Sequence, residues 1–226
     1  MRSQAKAAKW SAVSTFAVLC CTLLPAQDPR EQLLTAANAA YRSLRAAEAV
    51  SLYRDYLARY PDRADVRVFL GSALLNLDQL EAALDEANRA ISLDARYAKA
   101  YILAGRVSSA REQWEAAQRF FETAQHLDPR DLDAWYFSGR AFYVANRFER
   151  AVEAFEQALR AGAEQSRVYE NLGLAQDALG QFDAAGRSFR KAVDLANGAW
   201  RPYLAYGTFL FRQNRSAESL PLLRHA

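Results

Sequence analysis

The sequence predicts an all-α protein, a right-handed α-solenoid of antiparallel helix-turn-helix units, and three observations carry that prediction. From Arg30 onward the 226-residue chain repeats every 34 residues, in blocks starting at 30, 64, 98, 132, 166 and 200 with no insertion or deletion between them. Within a block, apolar residues twice recur at the three- and four-residue spacing of a helix face, separated by a short polar break. Small residues hold two fixed places: Ala37, Gly71, Gly105, Gly139, Gly173 and Gly207 at the eighth, and Ala49, Ala83, Ala117, Ala151, Ala185 and Ser219 at the twentieth. A fixed period of this length marks an array in which each unit buries its apolar face against its neighbours.

Residues 1 to 26 are of a different composition. Arg2, Lys6 and Lys9 precede an apolar stretch from Trp10 to Leu24 that ends at Pro25-Ala26, the layout of a secretory signal peptide cleaved before Gln27. The 15-residue stretch is short of the ~20 apolar residues that span a bilayer as a helix. Both cysteines of the chain, Cys20 and Cys21, lie in it. A lipoprotein acylated at Cys20 is the weaker reading, because Leu19 stands where a small residue normally precedes the modified cysteine. An extracytoplasmic location, in the bacterial periplasm, is the expectation.

Helix signals follow in chain order. Asp28-Pro29-Arg30-Glu31 reads as an N-cap, a proline in the first turn and a carboxylate three places after the cap. In the block 132–165, Trp135, Ser138, Gly139 and Phe142 share one helix face, and Phe148, Ala151, Phe155 and Ala158 share another. Asn146-Arg147 is too short a break for anything but an antiparallel hairpin. The small residues let the paired backbones approach toward the lower end of the ~8–10 Å range. Tyr53, Ala87, Phe121, Phe155, Phe189 and Leu223 at the twenty-fourth place fill the space beside them. Pro61 and Pro129, at the thirty-second place, end one block and open the next. Where Ala163 or Asn197 stands there instead, Gly162 and Gly198 are expected to supply left-handed caps. The last block stops at its twenty-seventh place, so Tyr203, Tyr206, Leu210, Leu220 and Leu223 are written as core with no following helix. More chain, a partner or a second copy is expected to cover them.

A large residue at the fourth place, small ones at the eighth and twentieth, an aromatic at the twenty-fourth, Ala at the twenty-seventh (Ala90, Ala124, Ala158, Ala192, Ala226) and often Pro at the thirty-second together resemble the tetratricopeptide repeat (TPR) family. The resemblance covers units 30–63, 64–97, 98–131, 132–165 and 166–199 and an incomplete unit 200–226. The first unit, with Leu33, Ala36 and Tyr56, and the second, with Ala87, depart most. The resemblance implies a solenoid whose first helices line a concave surface, used as a scaffold for protein or peptide partners through places two, five, nine, twelve and thirteen. Here these places hold Tyr136, Arg140 and Tyr143, with Arg106, Lys99 and Ile102 one unit earlier. Asn38, Tyr41, Ser72, Thr208, Phe211 and Arg212 extend the groove. Two tyrosines and two arginines suit a partner with an acidic side chain. Alternatively Arg106 and Arg140 pair with carboxylates such as Asp133 and only solvate the surface. The Lys-x3-Asn and Lys-x3-Arg pairs of chaperone-tail-binding members do not occur.

Composition narrows the function further. The formal charge of +3 comes entirely from residues 1 to 26, which leaves 26 basic and 26 acidic residues in the remainder. Nucleic acid and anionic membranes therefore lose their electrostatic attraction. The chain has no Gly-rich phosphate loop, no His-Glu-x-x-His and no Gly-x-Ser-x-Gly, and its two histidines, His126 and His225, read as surface residues. No enzyme activity, metal or cofactor is expected of these residues. The competing reading makes the repeats the substrate-recognition arm of a larger enzyme whose catalytic domain lies beyond Ala226. Envelope assembly, secretion or export are the roles that the resemblance and the signal together imply.

Overall fold

The computed structural model describes residues 28–162 and 165–226. The expected signal peptide, with Cys20 and Cys21, lies outside the described residues. Those residues form twelve α-helices and no strand. No helix among them is long and apolar enough to cross a membrane.

Each 34-residue block contributes one hairpin. The pairs are α1 (Pro29–Arg42) with α2 (Ala46–Arg59), α3 (Ala64–Asn76) with α4 (Leu80–Leu93), and α5 (Ala98–Ala110) with α6 (Trp114–Leu127). They continue as α7 (Leu132–Val144) with α8 (Phe148–Arg160), α9 (Ser166–Ala178) with α10 (Phe182–Asp194), and α11 (Trp200–Arg212) with α12 (Ser216–His225). The first helices also touch one another, α3 with α5, α5 with α7, α7 with α9 and α9 with α11, whereas the second helices make no comparable contact among the described residues. A stack whose first helices lie closer together than its second helices must curve with the first helices inside. That curvature creates the concave face.

The caps follow the sequence signals except at the two prolines of the thirty-second place. The Asp28 carboxylate accepts from the Arg30 backbone N–H at 2.9 Å and Pro29 opens α1. Gly162 and Gly198 take φ of +97° and +83°. Pro61 and Pro129, in contrast, both stay in the connectors, ahead of α3 and α7. Asp131 caps α7 instead, its carboxylate accepting from the Asp133 N–H at 2.9 Å.

The turn inside every hairpin has one design. The fifteenth place is left-handed in all six units: Leu44, Asp78, Glu112, Asn146, Gly180 and Asn214. The next residue's N–H then bonds back across the first helix end, as Arg147 does to the Phe142 carbonyl at 2.8 Å and Arg215 to the Leu210 carbonyl at 2.9 Å. The same Arg147 offers its own carbonyl to the Ala151 N–H at 3.0 Å, so one residue closes α7 and opens α8. Leu44 sits there at φ +58° with 87% of its surface exposed. It bears the left-handed penalty of roughly 1–2 kcal/mol with almost no packing in return. Leu44→Gly, copying Gly180, is expected to stabilise the protein by about 0.5–1 kcal/mol once the greater freedom of the unfolded glycine is subtracted. An unchanged or lowered urea midpoint would contradict that.

Packing explains the eighth place. A Cβ on Gly139 would lie 2.7 Å from the Phe155 ring, one on Gly105 2.7 Å from Phe121, and one on Gly173 2.9 Å from Phe189. The missing side chain is thus the seat of the aromatic at the twenty-fourth place. In the second unit that aromatic is absent, and Leu103 from the third unit fills the seat, 2.5 Å from where a Gly71 Cβ would be. In the first unit Tyr53, fully buried, turns its hydroxyl to donate to Asn38 Oδ1 at 2.7 Å.

The last unit is better covered than the sequence suggests. Tyr206 and Leu210 are 6% and 1% exposed, because they pack back on the fifth unit, where Tyr206 stacks with Phe189 at 6.2 Å. Leu223 takes the aromatic's seat over Gly207. Leu220 remains open at 52% exposure, and Tyr203 lies against the His225 ring at 4.0 Å.

Candidate partner-binding groove

The concave face is mostly self-neutralised. Arg167 on α9 pairs with Asp133 on α7 at 3.0 Å, Arg201 on α11 with Glu170 on α9 at 3.5 Å, and Arg212 on α11 with Asp177 on α9. These pairs bridge adjacent units and tie successive first helices together. Asp133 is therefore committed to Arg167, not to Arg106 or Arg140.

Arg106 and Arg140 are the departure from this pattern. They occupy the ninth place of adjacent units, on α5 and α7, and neither makes an ion pair or a hydrogen bond with any described residue. The Arg106 guanidinium lies over the Phe137 ring at 4.5 Å, and that of Arg140 is 5.9 Å from the Tyr136 centroid. Burial pushes the Arg106 pKa below its ordinary value; Tyr41 and Asp133 oppose this and Arg140 adds to it. The side chain remains a cation at any physiological pH. The stacked ring offsets part of the cost of holding it there.

Beside the two arginines lies a pocket of about 450 Å³ between α5 and α7. Its walls include Leu75, Trp114, Phe121, Phe137, Ala141 and Val144, and its charged lining residues are Arg106, Arg140 and Glu112, the last of which pairs with neither arginine. Phe121 is 1% exposed and forms the floor, while Val144 at 60% and the exposed Arg140 form the rim. Small residues shape the opening: Ser109 and Ala110 on α5 and Ala141 on α7 leave the space between the helices unfilled. Among the described residues no group of His, Asp and Glu is placed to hold a metal ion.

The residues predicted for the groove divide. Arg106 and Arg140 come together at the pocket. Tyr143 is half-buried on the same helix and packs on Phe148 at 5.6 Å, outside the lining. Two expectations need correction. Tyr136 is only 6% exposed, edge-on to Phe137 at 5.2 Å and clustered with Phe155 and Val168, because the following unit closes over the fifth place of this helix. Ile102 is 5% exposed for the same reason, packed with Phe121 and Ala134. Lys99 is exposed, at the opposite end of α5 from the pocket. Of the flanking positions, Ser72 is buried and Arg212 is paired. Phe137 was missed, since it stands at the sixth place, outside the five read as concave. Its signal was the aromatic pair Tyr136-Phe137 at the start of a first helix.

Similarity to known proteins matches this architecture. No curated protein matches the chain. The chain resembles a thermophilic TPR protein of Thermus thermophilus with TM-score 0.74 and 19% identity, over 80% of this chain and 99% of that one. PilF of Pseudomonas aeruginosa gives TM-score 0.70 at 18% identity, over 86% of this chain and 90% of that one. YrrB, described as a TPR protein with an unusual peptide-binding site, gives 0.56 at 20% identity over 76% and 89%. At such identities the likeness is one of fold. The family model for the tetratricopeptide repeat matches residues 34–101, 98–166 and 139–199, most of the described chain. With six hairpins in 34-residue register and a glycine seat for the aromatics Phe121, Phe155 and Phe189, the chain belongs to the tetratricopeptide repeat family.

Proposed function

We propose that the protein is a non-enzymatic scaffold whose concave groove holds an acidic segment of a protein or peptide partner. One observation carries the reading: Arg106 and Arg140, adjacent on a face where Arg167, Arg201 and Arg212 are ion-paired, have no ion pair of their own. A half-buried cation without a counter-charge is unfavourable, and a ligand carboxylate relieves that cost while making charge-assisted hydrogen bonds. The similarity to YrrB, a TPR protein with a peptide-binding site, supports the same reading. The signal-like first 26 residues support export, and the partner then belongs to a bacterial envelope assembly, secretion or export system.

Arg106→Glu with Arg140→Glu is expected to lose the partners that the wild type captures from its own envelope fraction. Arg140→Glu with Tyr143→Ala should lose them too. An unchanged partner list, with unchanged circular dichroism, defeats the proposal. The mature protein should begin at Gln27 by mass spectrometry, and a diacylated Cys20 would overturn the cleavage reading.

A further inference from the structure

The pocket between α5 and α7 has more room than a carboxylate uses. It offers about 450 Å³, within the ~300–1,000 Å³ of sites that enclose small ligands. Leu75, Trp114, Phe137, Ala141 and Val144 give it a hydrocarbon wall, and Ser109 and Glu112 complete the lining beside the two arginines. An open apolar surface beside two unpaired cations matches a ligand that carries both characters. We propose that the pocket takes a large apolar side chain of the partner, Phe- or Leu-sized, with the neighbouring acidic side chain of the same extended segment on Arg106 and Arg140. This rests on the acidic-partner reading above and makes the apolar residue the selective element.

The chemistry favours this pairing of characters. The ring of Phe137 serves twice, as apolar wall and as the surface on which the Arg106 guanidinium rests at 4.5 Å. A ligand side chain entering against that wall excludes water from the guanidinium, which strengthens the bond to a carboxylate arriving beside it. In an extended peptide, side chains two residues apart face the same side, ~6.5–7 Å from one another. The recognised element is therefore an acidic residue two positions from a large apolar one. Neither character alone accounts for the site: a polyacidic segment leaves the apolar wall wet, and a purely apolar one leaves two cations uncompensated.

The test uses the mature chain and two fluorescent decapeptides, identical except that one has Asp-Gly-Phe at its centre and the other Asp-Gly-Ala. The Phe peptide is expected to bind at least about tenfold more tightly by fluorescence anisotropy at physiological salt, as burial of an aromatic side chain provides. Ala141→Phe fills the pocket from α7, and Ala110→Phe fills it from an exposed position on α5 that tolerates substitution. Either should abolish the Phe preference, so that the two peptides bind alike. Arg106→Glu with Arg140→Glu should lose both peptides. Equal wild-type affinity for the two peptides, or a Phe preference that survives Ala110→Phe and Ala141→Phe, overturns the apolar pocket while the acidic reading stands. Binding that ignores the double arginine variant, or no binding of either peptide, overturns both.

Discussion

Phe155→Ala is expected to cost about 3–5 kcal/mol, the usual penalty for emptying a fully buried aromatic site. Phe155 is 0% exposed and clusters with Tyr136, Ala151, Ala158, Val168 and Leu172, from both helices of its own unit and the first helix of the next. Its loss therefore loosens α7 from α8 and the fourth unit from the fifth. The neighbouring glycine gives a sharper form of the experiment. Gly139→Ala alone puts a Cβ 2.7 Å from the ring, and overpacking of this sort costs about 1–3 kcal/mol, with Gly139→Leu toward the upper end. In the Phe155→Ala background the same methyl enters an empty seat and should cost little or restore stability. Urea unfolding of the four proteins in the cycle checks this, and strict additivity would show that the glycine and the ring do not share one site. Because contacts in a solenoid reach only adjacent units, a broadened or two-step transition is a further expected sign.

Glu86→Ala is expected to cost about 2–4 kcal/mol, somewhat below the figure for wholly buried pairs because some solvent reaches this one. Glu86 accepts from Arg67 Nη1 at 2.8 Å and from Arg89 at 3.0 Å, with the Arg67 and Glu86 side chains 15% and 11% exposed. Arg67 also donates to the Pro61 carbonyl at 2.9 Å, and its buried Nε has no partner within the protein. Removing the carboxylate strands that guanidinium between α3 and α4. The pair stands in the second unit, where Ala87 replaces the usual aromatic, so polar bonding and the borrowed Leu103 together do what a ring does elsewhere. Glu86→Leu with Arg67→Met, which removes both charges and keeps the volume, should be much less harmful than Glu86→Ala. Equal melting temperatures for that double variant and the single one would refute the stranded-charge account.

Most of the architecture was legible in the sequence because it depends on local and periodic information. Gly139 and Phe155 lie 16 residues apart in one hairpin, and the same spacing recurs in Gly105 with Phe121 and Gly173 with Phe189. Repetition turned a packing contact into a visible pattern. The left-handed fifteenth place was not legible because Leu44 and Glu112 interrupt the series of Asp78, Asn146, Gly180 and Asn214, whose types favour that backbone. The coverage of Tyr206 and Leu210 was not legible for a related reason: they pack against Ala185 and Phe189 of the preceding unit and need no following helix.

The sequence alone determined the number of hairpins, their register, the glycine seats, the family and the neutrality of everything after residue 26. Each of these follows from residue type at a fixed spacing along one chain. Only the tertiary structure decided that Asp133 belongs to Arg167, that Tyr136 and Ile102 are core, and that Arg106 and Arg140, neither of them ion-paired, share an open pocket with apolar walls. Those outcomes depend on which side chains meet across neighbouring units, 31 to 35 residues away in the chain for the concave ion pairs. A periodic sequence offers several equivalent partners at that distance, and the curvature of the stack and the reach of each side chain select among them.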